Sequence, residues 1–196
     1  MNKPIKIAVD LDGVIAQHSL GGFWVWTRKA KEKILKKAHS SSYYYPSTVL
    51  EKTAWLIING ARRPFPDKNN FFASLVDGGG IQFYLVTSRF KFLEELTRNW
   101  LKKYNLDKNF HKILINSQDA DPSLFKERAI RELELDYFID DDLEVINYLE
   151  KKTKAKLYWV VPGHRKKTDN HNGGVITCDD FLDALRKIVS TSENSS

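Results

Sequence analysis

After three glycines at 78–80, the chain alternates between short apolar segments and longer amphipathic segments. The apolar segments are rich in β-branched and aromatic residues and predict strands at 81–86, 112–115, 137–139 and 156–161. The segments between and after them predict helices at 91–104, at 121–133, from Asp142 to about 152, and at about 179–189. This alternation is typical of an α/β fold, in which helices cover both faces of a parallel sheet.

A further strand is predicted at the N-terminus, where the apolar run from Ile5 to Val9 leads directly into Asp10-Leu11-Asp12-Gly13. Polar groups also follow two later strands, as Thr87-Ser88-Arg89 and as Asp140-Asp141. Ligands of open parallel sheets bind at the carboxyl ends of the strands. We therefore expect these three polar groups to meet at one edge of the sheet.

The composition agrees with a folded protein of one compact domain plus an insertion, since the chain has 196 residues, 42% of them hydrophobic and 29% charged. Its longest apolar runs, at 54–58 and 157–161, are too short to span a bilayer, so no membrane partner is expected. The N-terminal segment lacks the apolar stretch of a secretory signal, and Cys178 is the only cysteine. A cytoplasmic location is therefore expected, and the oligomeric state is not indicated.

The net charge of +6 is concentrated in one part of the chain, because residues 14–80 contain ten basic and four acidic residues. This interval also has a helical pattern and many aromatic residues, and we interpret it as an insertion. The predicted organisation is a core formed by 1–13 and 81–189, an inserted unit at 14–80 and a frayed polar tail at 190–196. An excess of positive charge favours an anionic partner.

The acidic residues at the predicted sheet edge point to a metal ion. Carboxylates that converge there, from Asp10, Asp12, Asp140 and Asp141, would repel one another unless a cation lay between them. Carboxylate oxygens and water are the ligands that Mg²⁺ prefers. A zinc site is not expected, because the chain offers neither a cysteine cluster nor paired histidines.

A carboxylate beside Mg²⁺ can attack phosphorus and form an acyl-phosphate. The spacing Asp10-x-Asp12 suits a nucleophile and a second carboxylate that protonates the leaving oxygen and then deprotonates water. The phosphoryl oxygens need donors, which the Thr87 hydroxyl, backbone N–H groups and a lysine would supply. Lys126, near the start of the helix that precedes the Asp140 strand, is the candidate lysine.

Four motifs occur in this order: Asp10-Leu11-Asp12-Gly13 after one strand, Thr87-Ser88 after a second, Lys126 near the start of a helix, and Asp140-Asp141 after a later strand. Together they resemble the haloacid dehalogenase (HAD) superfamily, whose members are mostly Mg²⁺-dependent phosphatases. The resemblance implies a Rossmann-like core in which Asp10 is the nucleophile and Asp12 the general acid/base. It further implies that the phosphate is held by Thr87, Ser88 and Lys126. Mg²⁺ would be held by Asp10, the backbone carbonyl of Asp12 and Asp141, with Asp140 in a supporting position.

Within the superfamily, the short chain and an insertion between the first and second motifs resemble the 5'(3')-deoxyribonucleotidase group. The insertion at 14–80 would then be a small, mainly helical cap. Its aromatic residues, with Trp24 and Tyr44 favoured, would either stack on a nucleobase or form a small cap core. Arg89 would contact the phosphate or another part of the substrate, or form a surface ion pair with Glu94 or Glu95.

The sequence thus predicts an Mg²⁺-dependent phosphomonoester hydrolase that acts through an aspartyl-phosphate, with a nucleoside monophosphate as substrate. A phosphatase for polynucleotide ends is an alternative, because the basic insertion would suit a nucleic acid. A non-catalytic nucleotide- or RNA-binding relative, or an enzyme that transfers the phosphoryl group to an acceptor other than water, also remains open.

Overall fold

The computed structural model of the chain describes residues 3–17, 45–67, 70–161 and 174–193. The strands in these ranges are β1 (Ile5–Val9), β2 (Ala16–Gln17), β3 (Arg63–Pro64), β4 (Ile81–Thr87), β5 (Lys112–Ile115), β6 (Tyr137–Asp140), β7 (Lys156–Val160) and β8 (Ile176–Cys178). Six of them form one sheet in the order β5-β4-β1-β6-β7-β8, in which every neighbouring pair is parallel. The strands β2 and β3 form a separate antiparallel pair.

The helices in the same ranges are α1 (Val49–Gly60), α2 (Phe71–Asp77), α3 (Glu94–Lys103), α4 (Pro122–Leu133), α5 (Leu143–Glu150) and α6 (Phe181–Glu193), with short 3₁₀ turns at Lys91–Leu93 and Asp107–Asn109. Successive side chains of a strand point to opposite faces of the sheet. In β1, Ile7 and Val9 therefore join one hydrophobic cluster, with α2, α3 and α6, whereas Ala8 joins a second cluster with α4 and α5. The predicted α/β fold, a parallel sheet with helices on both faces, is confirmed.

Two helix starts bring functional side chains to the carboxyl edge of the sheet. The Asp121 side chain accepts hydrogen bonds from the backbone N–H groups of Ser123 and Leu124, and Pro122 occupies the first position of α4. The Asp142 side chain caps α5 in the same way, by accepting from Glu144 and Val145. Asp142 is therefore a capping residue, and both helices begin at a defined point beside the site.

Three elements were not anticipated from the sequence: strand β8, helix α2 and the pair β2–β3. Strand β8 has only three residues, and α2 has seven, so each apolar pattern repeats at most about twice, which is too few repeats to identify the element. Helix α6 ends at Glu193, whereas the sequence predicted a frayed tail from Ser190. Residues 190–193 thus continue the helix, and the frayed tail stays a prediction.

Parts of the interval 14–80 pack into the main core. Val14 and Ile15 are fully buried there, and Phe65 and Phe72 contact Phe181 of α6 through ring edges. The division into a core and a cap stays a prediction, and residues 18–44 of the interval lie outside the described ranges. Across the described ranges, no helix combines the length and the apolar character that a membrane span requires.

Candidate active site

The strand order places the ends of β4, β1 and β6 side by side. Asp10 follows β1 and donates its backbone N–H to the Ile139 carbonyl at 2.9 Å. Asp140 is the last residue of β6 and Thr87 the last of β4. All three side chains are buried. The structure therefore brings together the residues that the sequence placed at one edge.

Three carboxylates at this edge form a candidate metal centre. Asp10, Asp140 and Asp141 each offer an oxygen atom, and these atoms lie within 4.8 Å of one another. A set of oxygen donors with partly buried charge fits a hard cation such as Mg²⁺ and does not fit zinc. Asp12 was also predicted as a ligand, but its side chain lies outside this group and is engaged elsewhere. A role for its backbone carbonyl stays a prediction.

Lys126 connects two of the carboxylates. Its Nζ atom lies 3.0 Å from Asp10 Oδ1 and donates a hydrogen bond to Asp140 Oδ2 at 2.8 Å. Asp140 Oδ1 in turn accepts the backbone N–H of Asp142 at 3.0 Å. Lys126 is itself buried in the second turn of α4. The lysine therefore compensates the negative charge of Asp10 and Asp140 and fixes the orientation of both carboxylates.

Burial dominates the protonation of this cluster. It raises the pKa of Asp10 to about 7, since the opposing attraction of Lys126 is outweighed by burial together with Asp140 and Asp12. Burial and then Asp140 raise the pKa of Asp141 well above its ordinary value, and burial also raises the pKa of Asp140. Burial by itself would lower the pKa of the Lys126 amine. The negative charges of Asp10 and Asp140 outweigh this effect and raise the pKa above its ordinary value, so the amine stays charged.

Gly13 makes room for the third carboxylate. Its φ angle is +82°, a left-handed conformation that glycine adopts without strain. A Cβ atom at this position would overlap the carboxylate of Asp141. The glycine of the first motif therefore both turns the chain after Asp12 and leaves the space in which Asp141 lies.

Asp12 is held by two buried arginines, which we call the arginine clamp (Arg62 and Arg89). Arg89 donates two hydrogen bonds to the Asp12 carboxylate, from Nε at 2.9 Å and from Nη2 at 2.6 Å. The Nε atom of Arg62 lies 3.1 Å from Asp12 Oδ1. One alternative for Arg89, a surface ion pair with Glu94 or Glu95, is absent from the contacts that the described residues show, because Arg89 faces Asp12 and Glu94 pairs with Arg98.

Sequence reasoning missed Arg62, which lies just before β3. Its side chain reaches Asp12 because the pair β2–β3 folds residues 62–64 back against residues 16–17. No spacing rule links an arginine in this position to a carboxylate 50 residues earlier. The one available signal was the positive charge of the interval 14–80, which does not single out a residue.

Of the other residues predicted to contact substrate, the structure describes Thr87 and Ser88. The Thr87 hydroxyl accepts the backbone N–H of Arg89 at 3.4 Å, and Ser88 lies half-buried beside it. Their roles in holding phosphate stay predictions. Trp24 and Tyr44 lie outside the described residues.

An aromatic cluster, formed by Tyr45, Trp55, Phe90 and Phe92, adjoins Arg89, because Phe90 is the next residue in the chain. The rings of Tyr45 and Trp55 meet Phe90 edge-on, with centroids 5.3 and 5.4 Å away, and Phe92 stacks on Phe90 at 5.6 Å. The ammonium group of Lys52 lies within 6 Å of the Tyr45 and Phe92 rings. Aromatic and basic groups thus adjoin the residue that follows the Thr87-Ser88 segment.

No protein-family model matches the sequence, and no curated protein matches it. Comparison with solved structures finds similar folds. A predicted phosphatase from Clostridium acetobutylicum superposes with a TM-score of 0.67 at 15% identity, over 97% of this chain and 100% of that one. A haloacid dehalogenase-like hydrolase from Streptococcus pneumoniae gives a TM-score of 0.61 at 16% identity, over 94% and 98% of the two chains.

A third structure, a 2-haloacid dehalogenase from Pseudomonas syringae, gives a TM-score of 0.57 at 11% identity, over 96% of this chain and 99% of that one. The chain therefore has the fold of the HAD-superfamily hydrolases, with an acidic cluster at the edge where ligands of such sheets bind. Because proteins of this fold include both phosphatases and dehalogenases, the fold alone does not select the reaction.

Proposed function

We propose that the protein is a divalent-metal-dependent phosphomonoester hydrolase that acts through an aspartyl-phosphate on Asp10. The observation that carries this proposal is the contact network of Asp10, in which Lys126 and the carboxylates of Asp140 and Asp141 surround one buried aspartate. Hydrolysis of a carbon–halogen bond develops no multiply charged centre and has no need of a second and third carboxylate. Phosphoryl transfer requires concentrated positive charge, which a cation held by these carboxylates would provide.

The charges of the site also favour a phosphomonoester. When all are ionised, its four aspartates and three basic side chains sum to one negative charge. One Mg²⁺ ion would change the sum to one positive charge, which suits a phosphoryl group that carries two negative charges. When bound, the ion would polarise the phosphoryl oxygens and screen the carboxylate of the nucleophile.

In the proposed reaction, a carboxylate oxygen of Asp10 attacks phosphorus, and the bond from phosphorus to the ester oxygen breaks. For this step Asp12 must carry a proton, which it gives to the departing oxygen. Asp12 then takes a proton from water, whose oxygen attacks the aspartyl-phosphate and releases inorganic phosphate and the Asp10 carboxylate. Lys126 and the Thr87 hydroxyl would stabilise the charge on the phosphoryl oxygens during both steps.

For the substrate, we infer a nucleoside monophosphate. The support is the aromatic cluster beside Arg89, in which Tyr45 is exposed and Trp55 and Phe92 are half-buried, so that a base could stack there. Lys52 adds a positive charge to the same surface. Trp24 and Tyr44 remain candidates for further contacts.

The test is a phosphate-release screen over ribo- and deoxynucleotides, sugar phosphates and end-phosphorylated oligonucleotides, each with Mg²⁺ and with EDTA. The proposal expects release that requires the metal and is fastest with a mononucleotide. Preference for an oligonucleotide, with a rate that falls steeply as salt is added, would instead identify a polynucleotide-end phosphatase. Absence of release from every substrate would favour a non-catalytic binding protein.

A further inference from the structure

Asp12, the proposed proton donor, has both carboxylate oxygens engaged by the arginine clamp. Arg89 contacts Oδ1 through Nη2 and Oδ2 through Nε, the two-bond geometry in which a guanidinium fixes the plane of a carboxylate. Arg62 adds a contact to Oδ1. Since Arg89 is only 5% exposed and Arg62 8%, neither arginine is a mobile surface side chain.

Helix α3 anchors both arginines from the opposite side. The Arg89 Nη1 atom donates to the hydroxyl of Thr97 at 3.1 Å, and that hydroxyl donates to the Leu93 carbonyl at 2.8 Å. The Trp100 indole donates to the Arg62 carbonyl at 3.0 Å. Thr97 is fully buried and lies one turn from Trp100 on the same helix. Helix α3 therefore holds the guanidinium group of Arg89 and the backbone of Arg62.

We infer that Arg89 is a positioning residue for proton transfer: held by Thr97, it fixes the carboxylate of Asp12 so that Asp12 can serve the leaving oxygen. Arg62 assists from the β2–β3 side. This inference rests on the proposed function and goes beyond it by assigning Arg89 to Asp12 instead of to the substrate. The sequence had left Arg89 open as a phosphate or substrate contact.

The alternative, that Arg89 binds the phosphoryl group directly, requires free donor capacity that faces the substrate. Three of the five N–H groups of Arg89 are engaged: Nε and one N–H of Nη2 by Asp12, and one N–H of Nη1 by Thr97. The two remaining N–H groups lie in the same rigid plane, whose position Asp12 and Thr97 already fix. The observed geometry therefore favours an action through Asp12.

The two roles differ in how they depend on the leaving group. Proton donation matters greatly for an alkyl phosphate, whose alkoxide leaves poorly, and little for p-nitrophenyl phosphate, whose phenolate leaves readily. We expect Arg89→Lys, which keeps the charge but loses the two-bond geometry, to lower kcat/KM on glycerol 2-phosphate by about tenfold or more and on p-nitrophenyl phosphate by less than about threefold. Arg98→Lys, in an exposed ion pair on helix α3, is the matched control and leaves both values unchanged.

A double-mutant cycle with Asp12→Asn completes the test. If Arg89 acts through Asp12, adding Arg89→Lys to Asp12→Asn causes no further loss on either substrate. Independent losses that multiply, or an equal loss on both substrates with a raised KM, would show that Arg89 binds substrate and would overturn the inference. If the wild type turns over neither substrate nor any nucleotide, the proposed function itself fails, and this inference fails with it.

A milder pair of variants covers the case in which Arg89→Lys does not fold. Thr97→Val removes the hydroxyl that anchors Arg89, and Thr97→Ser keeps it. We expect the valine variant to show the same leaving-group dependence at a smaller size and the serine variant to retain wild-type values on both substrates. Equal behaviour of the two variants would contradict the role of Thr97 and Arg89 as a positioning pair.

Discussion

The carboxylate of Asp141 occupies the space that a side chain on Gly13 would need, so the first motif and the last one are sterically linked. Gly13→Ala should therefore displace Asp141 and also strain a backbone with φ of +82°. We expect a loss of about 1–3 kcal/mol in the free energy of unfolding and a fall in Mg²⁺ affinity of about tenfold or more. Chemical denaturation and titration calorimetry measure the two effects.

The matched control is Gly79→Ala. Gly79 also has a positive φ angle, +69°, but a Cβ atom there would meet nothing within 4 Å. This variant should lose stability without any change in Mg²⁺ affinity. Equal Mg²⁺ affinity in the two alanine variants would contradict the steric link between Gly13 and the metal centre.

Divalent metal should stabilise the fold, and more strongly at pH 8 than at pH 5. Burial raises the pKa of Asp10 from 3.8 to about 7 in the absence of metal. Between these values the folded protein keeps a proton that the unfolded chain has lost, so the stability of the metal-free protein falls as the pH rises through this window. Mg²⁺ binds the ionised carboxylates and removes the penalty.

Thermal unfolding at several pH values, with EDTA and with Mg²⁺, measures this effect. Ca²⁺ is a useful comparison, since it also prefers oxygen ligands but accepts larger sites. The account predicts a rise in Tm with Mg²⁺ that grows from pH 5 to pH 8. A Tm that is indifferent to metal at pH 8 would show that the three carboxylates do not form a metal centre.

Lys126→Met should be strongly destabilising at neutral pH. Lys126 is the charge partner that Asp10 and Asp140 share, and its removal leaves buried carboxylates uncompensated. Removing one partner of a buried ion pair costs about 3–5 kcal/mol. The loss should be smaller at pH 5, where the carboxylates can take up protons. Lys91→Met, on an exposed residue, should change stability little at either pH, and a similar loss in both variants would refute the bridging role.

The single cysteine provides a test of the sixth strand. Cys178 is the last residue of β8, and burial raises the pKa of its thiol to about 12. The thiolate is the reactive form, so Cys178 should resist alkylation by iodoacetamide at pH 8 in the folded protein. Modification should become rapid once denaturant unfolds the chain. Fast alkylation under native conditions would mean that β8 does not pair as described.

Sequence patterns located most of the sheet because five of its strands are long enough to show their apolar pattern. They also placed Asp10, Thr87 and Asp140 at one edge, since each directly follows or ends such a strand. Strand β8 and helix α2 were not predicted, because segments of three and seven residues show too few repeats of an apolar pattern.

The contacts of the arginine clamp with Asp12 were not predicted, for a different reason. Arg62 reaches Asp12 only because the pair β2–β3 brings distant parts of the chain together. Arg89 pairs with the half-buried carboxylate of Asp12, on which two of its N–H groups converge, and not with Glu94. Such choices depend on tertiary packing, which local patterns do not encode. Charge counting identified the right interval of the chain and could not identify the residue.

Phosphate release by the wild type and by Asp10→Asn, measured side by side with Mg²⁺ on the best substrate of the screen, tests the central claim most directly. Asparagine keeps the shape of the side chain but cannot form the aspartyl-phosphate, so turnover should fall by at least about a thousandfold. The variant should keep a Tm within a few degrees of the wild type, because Lys126 retains Asp140 as a partner. Comparable turnover by the two proteins would contradict the account.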